Sequence, residues 1–244
     1  LLQDILDEKR FDKTPSAKAR LLNFYANAAL RTNQYQVALE NYKKSVELYS
    51  QDDKNQQVGI ILVNICVAYE ELGQYDEALF YGLKAFNIAK QHEEDQVLLS
   101  KVFTNLGNVY SSLGIKDTAL NYYRKSIAID KSLGDSSGVS YGYSNIGWLY
   151  YEIEKKDSAL HYFKESALLD SLFGSRYEQM ISSHNYGSLL FELNRSKSKN
   201  LLLKSWQFAK ELGNLEYIRK NALLLGEWYL QNGATSEALS FYKE

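Results

Sequence analysis

A pattern that recurs about every 40 residues is the feature that most constrains how this 244-residue chain can fold. Its clearest copy runs from Phe103 to Tyr110 and resumes at Asp117, after a Leu-Gly turn. One small residue holds the same place in each copy, called here the small-residue position: Ala26, Cys66, Gly107, Gly147, Gly187 and Gly226. A fixed period of about 20–50 residues indicates stacked supersecondary units. We therefore expect a repeat array whose core extends along the chain.

Two other positions recur with the same period. An aromatic position three residues later holds Ala29, Tyr69, Tyr110, Tyr150, Leu190 and Tyr229. A downstream Ala-Leu pair begins at Ala38, Ala78, Ala119, Ala159 and Ala238, and the fifth copy breaks this rule with Asn200-Leu201. The copies define repeats 1 to 6, at about 16–55, 56–95, 96–135, 136–175, 176–214 and 215–244.

Composition favours helix in every repeat. The chain has one proline, Pro15, and is rich in residues with high helix propensity. The periodicity predicts helix pairs at about 16–31 and 35–50, 56–72 and 75–91, 96–113 and 116–132, 137–153 and 156–172, and 176–193 and 197–211, with a sixth pair starting near Leu215 and Thr235. Residues 1–15 are predicted to contain a capping helix, and residues 16–244 to form a single domain.

Glycines and capping residues are expected to separate the helices. Gly73 and Gly114 suit a left-handed residue after the first helix of their repeats. Between repeats, a glycine is followed by a residue that can cap the next helix: Gly134-Asp135, Gly174-Ser175 and Gly213-Asn214.

The small-residue position is expected to set the distance between the two helices of a repeat. On a 3.6-residue period Gly107 shares the core face with Phe103 and Tyr110. Gly107 is predicted to face Ala119, so that the two backbones cross closely. The tyrosines of the aromatic position are predicted to fill gaps between helices.

Charge and motif content argue against several classes of function. The 28 basic and 30 acidic residues are mixed along the chain, so direct nucleic-acid binding is not expected. No apolar run approaches the ~18 residues of a spanning helix, and we expect a soluble segment without membrane contact, cytoplasmic or periplasmic. His92, His161 and His184 lack partners at metal-ligand spacing. We expect no metal, no cofactor, no catalytic residues and no enzyme activity, and Cys66 is interpreted as a small buried residue.

The repeated residues resemble the tetratricopeptide repeat, most clearly in the stretch Leu72-Gly73-Gln74-Tyr75-Asp76-Glu77-Ala78-Leu79. The resemblance covers about residues 16–244. It implies an all-α fold, a right-handed α-solenoid of about six helix pairs, with partners bound in a concave groove. The period near 40 is similar to that of a subgroup found in bacterial sensor and regulatory proteins and in some scaffold proteins.

The face of each first helix opposite the core is not explained by packing, and the resemblance places it along the groove. The predicted peptide-binding residues lie there: Asn64, Lys101, Asn105, Asn108, Tyr141, Asn145, Trp148, Tyr151, His184, Asn185 and Phe191. Large aromatic side chains on an otherwise solvent-exposed face, such as Trp148 and Tyr151, are typical anchors of a binding interface.

Four asparagines share one position of this face, at residues 64, 105, 145 and 185. A carboxamide both donates and accepts, so we predict that this series pairs with the backbone of an extended peptide. The alternative is that each asparagine bonds a neighbouring helix and fixes the stacking of the repeats.

These features predict a non-catalytic module that binds an extended peptide or a helix of a partner protein. By resemblance, it would be the sensing or scaffolding part of a bacterial signalling or transcription-regulating protein. The alternative is a structural scaffold protein that self-associates, for instance as a homodimer. Light scattering distinguishes the two, since a monomer at all concentrations argues against self-association.

Overall fold

The computed structural model describes residues 15–51, 55–92, 95–194 and 197–243, and within these ranges the regular structure is entirely helical. The predicted all-α fold class is confirmed, and the predicted capping helix lies outside the described residues. None of the described helices is long and apolar enough to cross a lipid bilayer. The described helices are α1 (Pro15–Arg31), α2 (Tyr35–Gln51), α3 (Asn55–Glu71), α4 (Tyr75–Gln91), α5 (Gln96–Ser112), α6 (Lys116–Leu133), α7 (Ser136–Glu152), α8 (Lys156–Phe173), α9 (Arg176–Glu192), α10 (Ser198–Leu212), α11 (Leu215–Gln231) and α12 (Thr235–Phe241).

These helices form six pairs, each pair being one repeat, and their ends agree with the sequence prediction to about one residue. Contacts divide the chain into two compact units, one ending at Ile129 and the other beginning at Asp130. The first contains repeats 1 and 2 and most of repeat 3. The second contains the end of α6 and repeats 4 to 6.

The turn between the two helices of a repeat has the same backbone geometry six times. One residue in each turn has a positive φ, between 53° and 78°: Asn33, Gly73, Gly114, Glu154, Asn194 and Gly233. The prediction for Gly73 and Gly114 is confirmed. Between repeats the predicted caps also form, because the side chains of Asp135, Ser175 and Asn214 each accept a hydrogen bond from a backbone N–H of the following helix.

The small-residue position lies against an aromatic ring of the second helix. A Cβ added to Gly107 would come within 2.5 Å of the Tyr123 ring, and one added to Gly147 within 2.6 Å of the Phe163 ring. The atoms nearest to this position belong to Tyr123, a residue that the sequence prediction did not place opposite Gly107. The absent side chain makes room for the ring that fills the space between the helices.

In repeat 2 the glycine lies on the second helix and the larger residue on the first. Cys66 occupies the small-residue position, and Gly82 stands where repeat 3 has Tyr123. A Cβ on Gly82 would lie 3.3 Å from Cys66 Sγ and 2.9 Å from Leu106. The larger residue has moved to the first helix and the glycine to the second.

Stacked aromatic rings join the two helices at the aromatic position in four repeats. The pairs have centroids 5.4–5.5 Å apart and ring planes within 16° of parallel: Tyr69 with Tyr81, Tyr110 with Tyr122, Tyr150 with Tyr162, and Tyr229 with Phe241. Offset stacking contributes ~0.5–1.5 kcal/mol per pair beyond area burial. The predicted gap-filling role of Tyr69, Tyr110 and Tyr150 is confirmed.

Buried serines of the second helices form a repeated contact that the sequence prediction missed. The Ser45 hydroxyl donates to the Ala19 carbonyl at 2.7 Å, and Ser205 donates to the Met180 carbonyl at the same distance. In repeats 3 and 4 the equivalent serines share hydroxyl–hydroxyl bonds of 2.9 Å: Ser126 with Ser100, and Ser166 with Ser140. These bonds satisfy polar groups that are almost fully buried, so they offset the cost of desolvation and help to fix the helix crossing.

The fifth repeat keeps the pattern, with an altered alignment. Its second helix begins at Ser198, which is 1% exposed, whereas Asn200 is exposed. Ser198 lies seven residues before the buried Ser205, just as Ala159 lies seven before Ser166. The Ala position of repeat 5 is therefore Ser198, and the assignment to Asn200-Leu201 was wrong because α10 lacks the first helical turn of its equivalents.

We expect Gly107→Ala and Gly147→Ala to destabilise the protein by roughly 1–2 kcal/mol. Overpacking against a buried ring costs ~1–3 kcal/mol, which exceeds the ~1 kcal/mol that alanine gains over glycine in a helix. The matched control is Gly226→Ala, because its neighbouring ring, Tyr242, is 45% exposed and can move aside. Urea unfolding measures all three, and an equal loss in the control would contradict the ring-packing explanation.

A half-buried carboxylate in the first compact unit makes stability depend on pH. Burial raises the pKa of Glu70 from its ordinary 4.5 to about 7, although the Ser112 hydroxyl, 3.4 Å away, opposes the rise. Between these values the folded state holds a proton that the unfolded state releases. The free energy of unfolding should therefore fall as pH rises from about 4.5 to 7.

Glu70→Gln removes this ionisation, so we expect it to raise the free energy of unfolding at pH 8 by on the order of 1–3 kcal/mol and to change it little at pH 4. Chemical denaturation across this pH range measures the effect. The exposed Glu77 of the same compact unit provides the control. If Glu77→Gln gives the same pH dependence as Glu70→Gln, burial of Glu70 is not its cause.

Candidate functional site

The predicted site residues divide between the two compact units. Asn64, Lys101, Asn105 and Asn108 lie in the first, and Tyr141, Asn145, Trp148, Tyr151, His184, Asn185 and Phe191 in the second. All are on first helices of their repeats. The structure brings three of them together around one cavity: Trp148, Tyr151 and Phe191.

This cavity, called here the aromatic cavity, has a volume of about 290 Å³ and lies in the second compact unit. Its walls come from the first helices of three consecutive repeats, α7, α9 and α11, and from Phe163 of α8. The sequence prediction missed five of its lining residues: Phe163, Ser188, Leu189, Glu192 and Leu224. Its surface is almost entirely apolar, so it can hold an apolar group shielded from water.

Three aromatic rings form one wall of the aromatic cavity. The Trp148 indole packs edge-on against the Phe163 ring at 5.3 Å and against Tyr151 at 5.6 Å. Phe163 is 2% exposed, whereas Trp148 remains 42% exposed. A tryptophan held rigidly by two rings and still open to solvent presents apolar surface at little entropic cost.

A polar cluster lies at the edge of the cavity. The Tyr151 hydroxyl donates to Glu192 Oε2 at 2.9 Å, and Lys156 Nζ lies 2.7 Å from Glu192 Oε1. The Lys156 bond, helped by Tyr151, lowers the pKa of Glu192, and the same carboxylate raises the pKa of Tyr151. Glu192 is thus ionised at neutral pH and holds the Tyr151 ring in place.

The Trp148–Phe163 pair stands where repeats 1 and 3 have a hydrogen-bonded pair. In repeat 1 the equivalent of the Trp148–Phe163 pair is Asn27 with Tyr42, whose hydroxyl donates to Asn27 Oδ1 at 2.6 Å. In repeat 3 it is Asn108 with Tyr123, bonded at 2.9 Å. Both partners change together, from a polar pair to an apolar one. The 15-residue spacing was visible in the sequence and could have identified Phe163.

The asparagines of the predicted series make hydrogen bonds within the protein. Asn64 Nδ2 donates to Asn27 Oδ1 at 3.1 Å, and Asn185 Nδ2 donates to Ser144 Oγ at 3.2 Å, each reaching the preceding repeat. Asn105 donates to the Lys101 carbonyl of its own helix at 2.7 Å. Asn145 also has a partner. Asn64 and Asn185 thus bond a neighbouring repeat, as the stacking alternative predicts. Contact of the four asparagines with a peptide stays a prediction.

The remaining predicted residues lie outside the aromatic cavity. His184 Nδ1 is 2.9 Å from Asn221 Oδ1, its ring packs edge-on against Tyr217, and burial lowers its pKa. Tyr141 is 54% exposed and Lys101 is also exposed. Asn108 is engaged by Tyr123. A role for these four residues in peptide binding stays a prediction.

Within the described ranges, no three His, Cys, Asp or Glu side chains lie where they could share a metal ion. Cys66 is fully buried, and burial raises the pKa of its thiol to about 12. The thiol therefore stays protonated at neutral pH and is a poor nucleophile.

The two best-defined asparagines should differ in their effect on stability. We expect Asn185→Ala to lower the free energy of unfolding by about 1–2 kcal/mol, because Asn185 is 4% exposed and its loss leaves Ser144 without that bond. Asn105→Ala should change it by less than about 0.5 kcal/mol, since its bond is exposed and stays within one helix. Thermal and urea unfolding test the pair, and losses of equal size would contradict the distinction.

Comparison with known proteins identifies the repeats. Family models described as Tetratricopeptide repeat match residues 19–52 and 57–132. The small glutamine-rich tetratricopeptide repeat-containing protein 2 of Mycosarcoma maydis is 29% identical over 116 residues, which are 48% of this chain and 29% of that protein. The chain spans less than a third of the length of the curated relatives it matches.

Solved structures share the fold at low sequence identity. A Rap protein complexed with competence and sporulation factor has a TM-score of 0.78 and 15% identity, over 99% of this chain and 77% of that one. The Rap conjugation gene regulator of plasmid pLS20, in complex with the Phr* peptide, has a TM-score of 0.76 and 19% identity, over 91% and 62%. The family models therefore identify residues 19–52 and 57–132 as tetratricopeptide repeats, and the solved structures show that the chain shares the helical-solenoid fold.

Proposed function

We propose that this chain is a non-catalytic module that binds an extended peptide or a helix of a partner protein. In this proposal one large apolar side chain of the ligand enters the aromatic cavity. The module acts as the sensing or scaffolding part of a larger regulatory protein, as in bacterial signalling.

The family and the structural neighbours support this proposal. Tetratricopeptide-repeat proteins point to protein binding as the general role. Two neighbours of the same fold were solved with bound factors, one with competence and sporulation factor and one with the Phr* peptide. At such low sequence identity these structures show only that the fold is shared. The peptide ligand and the regulatory setting are therefore proposals for this chain.

The aromatic cavity is the observation on which the proposal rests. At about 290 Å³ it lies at the lower end of small-ligand sites, which range over ~300–1,000 Å³. It has room for one aromatic or long aliphatic side chain. Exposed main-chain groups of an extended ligand can then bond polar side chains of the same compact unit, as in other strand-like peptide complexes.

The proposal can be tested with the double variant Trp148→Asn, Phe163→Tyr. This variant rebuilds in repeat 4 the hydrogen-bonded pair of repeats 1 and 3, so it should fold while losing the apolar wall of the cavity. Linear peptides selected from a random phage-displayed library against the wild-type chain serve as probes. We expect the selected peptides to share a large apolar residue, and calorimetry should show binding to the double variant weakened at least about tenfold.

Phe173→Ala is the matched control, because Phe173 is an aromatic residue of the same repeat that is 66% exposed and does not line the cavity. It should bind the selected peptides like the wild type. Melting temperatures of all variants establish that they fold. The proposal fails if selection yields no binding peptide, or if the double variant binds the peptides as tightly as the wild type.

A further inference from the structure

A second cavity of about 280 Å³ lies in the second compact unit, away from the aromatic cavity. It is formed by the end of α6, the following turn, the first half of α7 and the middle of α8. Its apolar part is Val139, Leu168 and Leu169, beside the ring of Tyr143. Its other lining residues are Asp130, Lys131, Gly134, Asp135, Ser136 and Glu165.

Glu165 reverses a charge that four of the other repeats keep, and repeat 6 also has a glutamate at this position, Glu244. The equivalent residue is lysine in repeats 1, 2, 3 and 5: Lys44, Lys84, Lys125 and Lys204. Three of these lysines lie over nearby aromatic rings. Lys84 lies 4.4 Å from the centroid of Phe80, Lys125 lies 5.6 Å from Phe103, and Lys204 lies 5.6 Å from Phe208.

Repeat 3 shows what this arrangement looks like when the repeat supplies its own cation. Lys125 Nζ lies over both Phe103 and Tyr122, at 5.6 and 5.4 Å. In repeat 4 the same ring positions hold Tyr143 and Tyr162, whose centroids are again 5.8 Å apart, as in repeat 3. The rings are therefore kept, while the lysine has become a carboxylate and a cavity opens beside it.

The cavity carries an unsatisfied negative charge. Glu165 is half-buried, and among the described residues it has no ion pair or hydrogen bond. The Asp135 carboxylate also lines the cavity, where it caps α7 through the Gly138 N–H at 2.9 Å. Lys131 Nζ lies 5.3 Å from the Tyr143 centroid, but this side chain is exposed and forms no ion pair with Glu165.

We propose that this cavity binds an arginine side chain presented by a partner polypeptide. The guanidinium displaces the exposed Lys131 ammonium from the Tyr143 ring, stacks there and pairs with the Glu165 carboxylate, while its methylene groups cover Leu168 and Val139. Arginine suits the site better than lysine because its planar group can stack on a ring and bond a carboxylate in two places at once. The partner's cation takes the place that Lys125 fills in repeat 3.

An NMR titration of the ¹⁵N-labelled chain tests this site. The probe is the tripeptide Ac-Ala-Arg-Ala-NH₂, and the neutral isostere with citrulline in place of arginine is its control. With the wild-type chain, we expect the arginine peptide to cause saturable shifts of the Tyr143 and Gly138 amide signals. The Glu165→Gln variant should bind this peptide at least about tenfold more weakly, and the Glu165→Lys variant should not bind it. Glu165→Lys carries the residue that repeats 1, 2, 3 and 5 have at this position, so it should fold, and its melting temperature verifies this.

Three results would overturn the proposal: equal binding of the citrulline peptide, undiminished binding by Glu165→Lys, or no saturable shift of these signals. Free L-arginine is a further arm of the experiment. Equal or tighter binding of the free amino acid would overturn the assignment to a partner polypeptide. The outcome is independent of peptide binding at the aromatic cavity, since Glu165 does not line it.

Discussion

Each helix pair depends on one steric contact, in which a residue with little or no side chain faces a large one across the pair. Gly107 faces Tyr123 and Gly147 faces Phe163, and repeat 2 exchanges the sizes by placing Cys66 opposite Gly82. Because protein interiors are close-packed, a full ring fits between the helices only where the facing residue has little or no side chain, and repeat 2 instead packs Cys66 and Leu106 around Gly82. In four repeats, stacked rings also join the two helices.

Buried polar bonds then make each crossing specific. Apolar packing alone would tolerate a rotation or a slide of one helix on the other, but a serine hydroxyl such as Ser45 must meet its acceptor within hydrogen-bond distance. The carboxamides of Asn64 and Asn185 do the same between successive repeats. A misplaced helix would leave these groups buried without partners, at a cost of about 1–3 kcal/mol each.

The repeats act as internal references for one another, and repeat 4 differs from repeats 1 and 3 in two ways. Trp148 and Phe163 stand where those repeats have a hydrogen-bonded asparagine and tyrosine, and Glu165 stands where they have a lysine. A cavity lies beside each of these two differences. Both proposed binding sites therefore use residues of repeat 4.

The sequence by itself determined the helix pairs, their ends and the capping turns, because these depend on local periodicity and on residues such as Gly73, Gly114 and Asp135 whose preferences are local. It also indicated Trp148, Tyr151 and Phe191 as exposed aromatics. Only the tertiary structure decided that Gly107 makes room for the Tyr123 ring and that Ser198 occupies the alanine position of repeat 5. It alone showed that Glu192 and Leu224 line the aromatic cavity. It also gave Asn64 and Asn185 partners in the preceding repeats. These facts depend on which side chains meet across helices, and periodicity assigns a residue to a face without naming the residue opposite it.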